Sequence, residues 1–181
     1  MAAVRACGGV GGRHVPNAQP GPFMVVFLWP ALFLGERHLD SHNSQHLLDP
    51  YAFTHVLHGF VFFWLLSSLL PRTPRLWQFT LAILLEGLWE VFENTEFIIQ
   101  RYREATAALG YYGDSVANSL GDVVTCGIGF LIAQRIGFRR SFVVFVATEL
   151  VLLIWIRDSL LLEILMLIYP IDSLKTWQMG H

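Results

Sequence analysis

Ionisable side chains recur at helical spacing inside the apolar stretches of this chain. Glu86, Glu90 and Glu93 follow an i, i+4, i+7 pattern, which places them on one face of a helix. Like charges crowded in an apolar setting must be protonated, paired with a cation or bound to metal. The stripe is therefore a candidate for acid–base or metal chemistry, although polar groups in helical bundles also bond to one another simply to join helices.

Two further segments carry polar side chains at similar spacing. His55 and His58 are three positions apart, close enough on a helix to act together. Asp114, Asn118 and Asp122 are four apart and form a second polar stripe. Small residues extend that stripe and would let a neighbouring helix approach closely: they are Gly121, Thr125 and Gly129.

All three groups fall towards the same end of an up-and-down bundle, so the sequence predicts that they converge on one site in one leaflet. Imidazole with several carboxylates suits Zn²⁺, Mn²⁺ or iron, whereas carboxylates alone would suit Mg²⁺ or Ca²⁺. The favoured cofactor is a divalent metal ion, with salt bridges and protonation as the alternatives. The predicted metal ligands are His55, His58, Glu86, Glu90, Glu93 and Asp122.

Catalytic roles can be assigned to some of the same acids. Glu90, Glu93 and Asp114 are the candidates for proton transfer, and Asn118 and Arg103 would orient their neighbours. No nucleophilic serine or cysteine motif is visible, so covalent catalysis is not indicated. The sequence does not decide whether the protein is an enzyme.

Composition favours a membrane protein. Of 181 residues, 54% are hydrophobic and 14% charged, with a mean hydropathy of +0.50, whereas soluble domains carry about 25% charged residues. The net charge of −2 and the lack of a basic block predict no nucleic-acid partner. Cys7 and Cys126 have no CxxC spacing, which excludes a cysteine-based zinc site.

Hydropathy along the chain predicts an all-α fold, an integral membrane bundle of about five transmembrane helices. Residues 1–22 are rich in Gly, Pro and Ala and predict a disordered tail, and residues 23–181 form one transmembrane helical domain. Leu160–Tyr169 is too short to cross and predicts a C-terminal interfacial helix. The predicted spans are Phe23–Leu34, Phe53–Leu70, Leu76–Ile99, Val116–Ile136 and Phe142–Ile156.

Several short motifs occur in order along the chain: Ser44-Gln45-His46, His55-Val56-Leu57-His58-Gly59, Trp89-Glu90-Val91, Gly113-Asp114-Ser115-Val116 and Arg157-Asp158. Together they resemble an uncharacterised bacterial family of multi-pass membrane proteins, known as domain of unknown function 2585. A looser similarity links the acidic middle helix to the VanZ-like group. The resemblance covers Ser44 to Gln178 and implies a location in the bacterial inner membrane, but it implies no reaction.

Two functions remain open. The polar cluster can be an intramembrane site that binds a metal ion or processes a lipid-like substrate, with membrane lipid as the partner. It can instead be interhelical packing in a structural or accessory subunit, with other membrane protein subunits as partners. A proton or ion path is disfavoured because the opposite halves of the spans are almost wholly apolar.

Overall fold

The fold is helical throughout the part of the chain that the computed structural model describes, Leu48 to Gly180. The all-α prediction is confirmed for this part, which contains no strand. The predicted disordered tail and first span lie outside the described residues. The helices are α1 (Ala52–Leu69), α2 (Arg75–Glu93), α3 (Glu96–Ala105), α4 (Val116–Ile136), α5 (Phe138–Trp155), α6 (Leu160–Ile168) and α7 (Asp172–Gln178).

Two glycines set the central contact, between α1 and α4. A Cβ atom on Gly59 would overlap the carbonyl oxygen of Cys126, and one on Gly129 would overlap that of Val56. No larger residue fits where the two backbones approach this closely. The expectation that Gly129 admits a neighbouring helix is confirmed, and the crossing brings the polar starts of α1 and α4 together.

The outer helices α2 and α5 carry their acidic residues inward, and their arginines are exposed at the helix starts. The inner face of α2 buries Gln78, Glu86, Glu90 and Glu93. Its outer face exposes large apolar residues: Leu76, Trp77, Leu84, Leu85, Leu88, Val91 and Phe92. On α5 the exposed residues include Phe142, Val143, Leu150, Val151 and Ile154, while Ser141 and Glu149 are buried. This pattern is the reverse of a water-facing helix.

The third predicted span is shorter than the sequence indicated. It ends at Glu93 because Asn94 caps it, donating both its backbone N–H and its side-chain amide to the carbonyl oxygen of Glu90. The chain then turns and α3 begins at Glu96, so the last residues of the predicted span, up to Ile99, belong to a separate helix. The fourth span, Val116–Ile136, has the predicted bounds. The fifth begins earlier than predicted, at Phe138, directly after Gly137.

Two described helices, α1 and α4, are long and apolar enough to cross a membrane. Core helices of soluble proteins can be equally long and apolar. By the same test α2, with Arg75 and three glutamates, and α5, with Arg139, Arg140 and Glu149, carry too many charged residues. The predicted count of about five transmembrane helices is therefore not confirmed, and embedding in a membrane is taken up below as a proposal.

Candidate metal centre

Local capping fixes where the site helices start. Before α1, the carboxylate of Asp49 accepts hydrogen bonds from the backbone N–H groups of Tyr51 and Ala52, at 2.8 and 3.2 Å. Before α4, the hydroxyl of Ser115 accepts one from the backbone N–H of Asn118 at 3.2 Å. Side chains that accept from the first free N–H groups define a helix N-terminus. His55 and His58 consequently lie in the first two turns of α1, and Asp122 lies in the second turn of α4, with Asp114 just before that helix.

Glu86 lies between the two histidines and has no solvent exposure. Its Oε1 is 2.6 Å from Nδ1 of His55 and 3.0 Å from Nδ1 of His58, and its Oε2 is also 3.0 Å from the latter atom. An ionised carboxylate only accepts hydrogen bonds, so both rings donate from Nδ1. A neutral imidazole protonated at Nδ1 keeps its lone pair on Nε2. Glu86 therefore fixes both rings in the form that binds a metal ion through Nε2.

Acids from two helices approach His55. Its Nε2 is 3.8 Å from Oδ2 of Asp122, and its Nδ1 is 3.4 Å from Oε1 of Glu90. Two ligands that share a metal ion at about 2.1 Å stand roughly 3 to 3.5 Å apart. The ligand atoms of His55, Glu90 and Glu93 all lie within 4.8 Å of one another. His55, His58 and Glu86 form a second such group, but their proximity is already explained by the two hydrogen bonds to Glu86.

Buried polar atoms around the histidines lack hydrogen-bond partners among the described residues. They are Oε1 and Oε2 of Glu90, Oε2 of Glu93, Nδ2 of Asn118 and Oδ1 of Asp122. Leaving such an atom unsatisfied costs about 1–3 kcal/mol. Several of them at one place are typical of a site that is completed by a ligand. The donor set of imidazole nitrogens and carboxylate oxygens fits a divalent transition-metal ion.

Asp114 and Arg103 lie to one side of the histidines. The carboxylate of Asp114 accepts a hydrogen bond from the Tyr111 hydroxyl at 3.0 Å. The backbone N–H of Asp114 donates to the side-chain oxygen of Asn94 at 2.6 Å. The Arg103 guanidinium donates to the backbone carbonyl of Tyr111 at 2.5 Å and lies over the Tyr112 ring. Arg103 is thus connected to Asp114 through Tyr111, and its orienting role stays a prediction.

A cavity of about 520 Å³ adjoins the cluster. His55, His58, Glu93, Asn118 and Asp122 line it, and so does Asp114. Glu86 and Glu90 lie behind this wall. The structure thus groups the predicted ligands around the two histidines, while their roles remain predictions. The cavity also has lining residues that the sequence analysis did not select: Tyr51, Tyr102, Tyr111, Asp158 and Glu163.

The additional acids lie at the join between α5 and α6. Burial raises the pKa of Asp158 to about 7. Its carboxylate accepts hydrogen bonds from the Tyr51 hydroxyl at 3.2 Å and from the backbone N–H of Ser159 at 2.9 Å. The pKa of Glu163 is also raised, first by burial and then by the nearby charges of Asp158 and Glu93. Tyr51 and Asp158 are 107 positions apart, so no local spacing pattern could have paired them.

Comparison with known proteins gives a family without an assigned activity. The family model described as "Protein of unknown function (DUF2585)" matches residues 29–180. A UPF0314 protein of Brucella anthropi is 41% identical over 142 residues, covering 78% of this chain and 72% of its own. One from Rhizobium etli is 44% identical over 140 residues, which cover 77% of this chain and 72% of the relative. Another, from Novosphingobium aromaticivorans, is 40% identical over 165 residues, which cover 88% of this chain and 80% of the relative. No solved structure matches the chain.

Proposed function

The chain belongs to the bacterial DUF2585 family, and on that premise we propose that it is a membrane-embedded protein whose histidine–carboxylate site holds one divalent metal ion. The proposed location is the bacterial inner membrane, crossed several times by helices that include α1 and α4. The observation that supports the metal site is that His55 and His58 both hydrogen-bond through Nδ1 to the same carboxylate, that of Glu86.

The outer faces of α2 and α5 support embedding in lipid. Both helices turn leucine, valine and aromatic side chains outward along most of their length and bury their acidic residues, while their exposed arginines lie at the first turns. Exposing that much apolar surface to water would be unfavourable by about 25 cal/mol for each Å². In a bilayer the same faces are compatible with the surroundings, and the buried acids are sheltered from lipid. More helices than the two most apolar ones therefore belong to the proposed membrane domain.

In the proposed site the two histidines bind the metal through Nε2. Asp122 would supply a carboxylate oxygen beside Nε2 of His55, and Glu90 would supply one from the Nδ1 side of the same ring, where Glu86 holds both rings in place. A metal ion at such a site supplies a Lewis acid and lowers the pKa of bound water. Glu93 lines the cavity and has an oxygen without a hydrogen-bond partner among the described residues, so it is placed to accept a proton from a bound molecule.

Elemental analysis of detergent-purified protein tests this proposal. We expect about one divalent metal ion per chain in the wild type and little in the double variant His55→Ala/His58→Ala, because both imidazole ligands are lost. The matched control is Glu96→Gln, which removes a charge from the exposed side of α3 and should leave the metal content unchanged. Wild-type protein without metal, or metal that persists in the double variant, would contradict the proposal.

A second candidate function is a structural or accessory role, with other membrane protein subunits as partners. The observation that favours it is that the hydrogen bonds of Glu86 connect α1 directly to α2, as interhelical polar contacts do. The same elemental analysis separates the two functions. Metal-free protein that co-purifies with a defined set of membrane subunits would support the structural role.

A further inference from the structure

One wall of the cavity beside the metal centre is apolar. It is built from α1, α2 and α6 and includes Phe62, Leu85, Leu88, Phe92 and Ile164. The residues from α2 and α6 are also exposed on the outer surface of the bundle. The cavity is therefore bordered by the face that the proposed function places against lipid. A volume of about 520 Å³ falls among the roughly 300–1,000 Å³ of pockets that hold small organic molecules.

The opposite wall is acidic and aromatic. Its carboxylates include Glu93, Asp122, Asp158 and Glu163. Its aromatic rings belong to Tyr51, Tyr102 and Tyr111, and the indole of Trp89 lies near the histidine side. Among the described residues that line the cavity there is no lysine or arginine.

Basic side chains around the cavity donate to backbone carbonyls, as Arg103 does to Tyr111 and Arg157 to Trp177. Arg101 donates to the backbone carbonyls of Leu167 and Ile168, at the end of α6. Lys175 donates to the carbonyls of Arg103 and Glu104, at the end of α3. These contacts cap helix C-termini, which favour positive charge. Because these contacts bind Arg101 and Lys175 to backbone oxygens, the acids of the cavity receive hydrogen bonds from neutral donors.

Neutral donors satisfy hydrogen bonds without cancelling charge. Asp158 is held in this way by Tyr51 and by the backbone of Ser159. Glu93 and Asp122 each have a buried oxygen with no hydrogen-bond partner among the described residues, and both side chains line the cavity. The acids therefore favour a ligand that brings positive charge into the cavity.

We propose that this cavity binds an amphiphile whose head group carries a positively charged alkylammonium nitrogen. The alkyl chain lies along the apolar wall of α2 and α6, and the nitrogen lies among the acids and tyrosine rings. Aromatic faces together with carboxylates recognise alkylated ammonium groups through cation–π and ionic attraction. The proposal rests on the membrane-embedded site proposed above and names the class of molecule that occupies its cavity. An anionic head would be repelled by the same wall.

Equilibrium binding of radiolabelled dodecyltrimethylammonium to the full chain in lipid nanodiscs tests this inference. We expect saturable binding that unlabelled dodecyltrimethylammonium displaces, and that dodecyl sulfate does not. Tetramethylammonium should compete at least about tenfold more weakly than the probe, because it lacks the chain. If tetramethylammonium competes equally well, the site recognises a free ammonium ion, and the inferred amphiphile is wrong.

Variants locate the binding. Glu163→Gln keeps the shape of the side chain and removes the carboxyl group that would ionise beside a bound ammonium nitrogen, so it should weaken binding about tenfold. Glu104→Gln, an exposed residue outside the cavity, is the matched control and should have no effect. Equal binding by wild type and Glu163→Gln, or equal displacement by dodecyl sulfate, would overturn the inference.

Glu90→Gln separates this inference from the metal proposal. Glu90 lies next to His55 but does not line the cavity. The variant should lose metal and still bind the ammonium probe. If the wild type binds metal but not the probe, the amphiphile inference alone is wrong. If it binds the probe but never holds metal, the metal proposal alone is wrong.

Discussion

Two buried polar regions lie at opposite ends of the α1–α2 hairpin, and only one is satisfied by the protein itself. At the turn end, Gln78 is fully buried and donates to the carbonyls of Leu70 and Thr73, while its own oxygen accepts from Arg75. At the other end, Glu90 is buried and neither carboxylate oxygen has a hydrogen-bond partner among the described residues, although Nδ1 of His55 lies 3.4 Å from Oε1. The same two helices can thus satisfy a buried amide, so the unsatisfied acids indicate a ligand rather than poor packing.

The largest expected effect concerns the helix crossing on which both regions depend. Gly129→Ala should lower the free energy of unfolding by about 3 kcal/mol or more, because its Cβ would overlap the backbone of α1. Gly87→Ala is the control, since a Cβ there meets nothing within 4 Å. It should be neutral or stabilise by about 0.5–1 kcal/mol. Unfolding in mixed micelles measures both, and equal stability of the two variants would refute the close crossing.

The satisfied region should behave as a purely structural one. Gln78→Leu should cost about 1–3 kcal/mol, because the turn carbonyls lose their donor and Arg75 loses its acceptor. Metal content should not change. Elemental analysis together with unfolding checks both parts. If this variant lost metal as well as stability, the two regions would not be separable.

A smaller effect should appear as a pH dependence near the cavity. Because the folded-state pKa of Asp158 is raised to about 7, the folded protein holds a proton that the unfolded chain releases near pH 4. Stability should therefore fall as pH rises from about 4 to 7. Asp158→Asn should flatten this decline, whereas the exposed Asp172→Asn should not. An equal decline in wild type and Asp158→Asn, measured by thermal unfolding between pH 5 and 8, would contradict the assignment.

The smallest expected effect on folding lies in the unsatisfied region. Glu90→Gln removes a buried charge and breaks no hydrogen bond made by the side-chain oxygens, so the unfolding free energy should stay within about 1 kcal/mol of wild type. Loss of stability by more than twice that amount would show that Glu90 is structural, like Gln78. Unfolding of the metal-free forms is the appropriate measurement, because bound metal would itself add stability.

Much of the fold could be predicted from local patterns. The fourth helix has the predicted bounds because Ser115 caps its start and Gly137 ends it with a positive φ of 79°, and both signals are visible in the sequence. The break after Glu93 was not predicted because apolar residues resume at Phe97–Ile99 after only four polar ones. Asn94 ends that helix partly through a contact with the backbone of Asp114, 20 positions away, and such tertiary partners leave no periodic signal.

In the candidate site too, local spacing predicts some features and tertiary contacts decide the others. Helical spacing was sufficient to put His55 and His58 on one face, and Glu86 and Glu90 on another. Spacing could not show that Glu86 bonds both histidine rings while Glu90 approaches only the ring of His55, since both are glutamates of one stripe. That distinction depends on which atoms meet across α1 and α2.

X-ray absorption at the metal K edge, recorded on the purified full chain, tests the metal centre most directly. The account predicts a first shell of nitrogen and oxygen atoms with the outer-shell signature of two imidazoles, bound through Nε2 and reduced to one imidazole in His58→Ala. A shell of oxygen atoms alone, unchanged in His58→Ala, would contradict it.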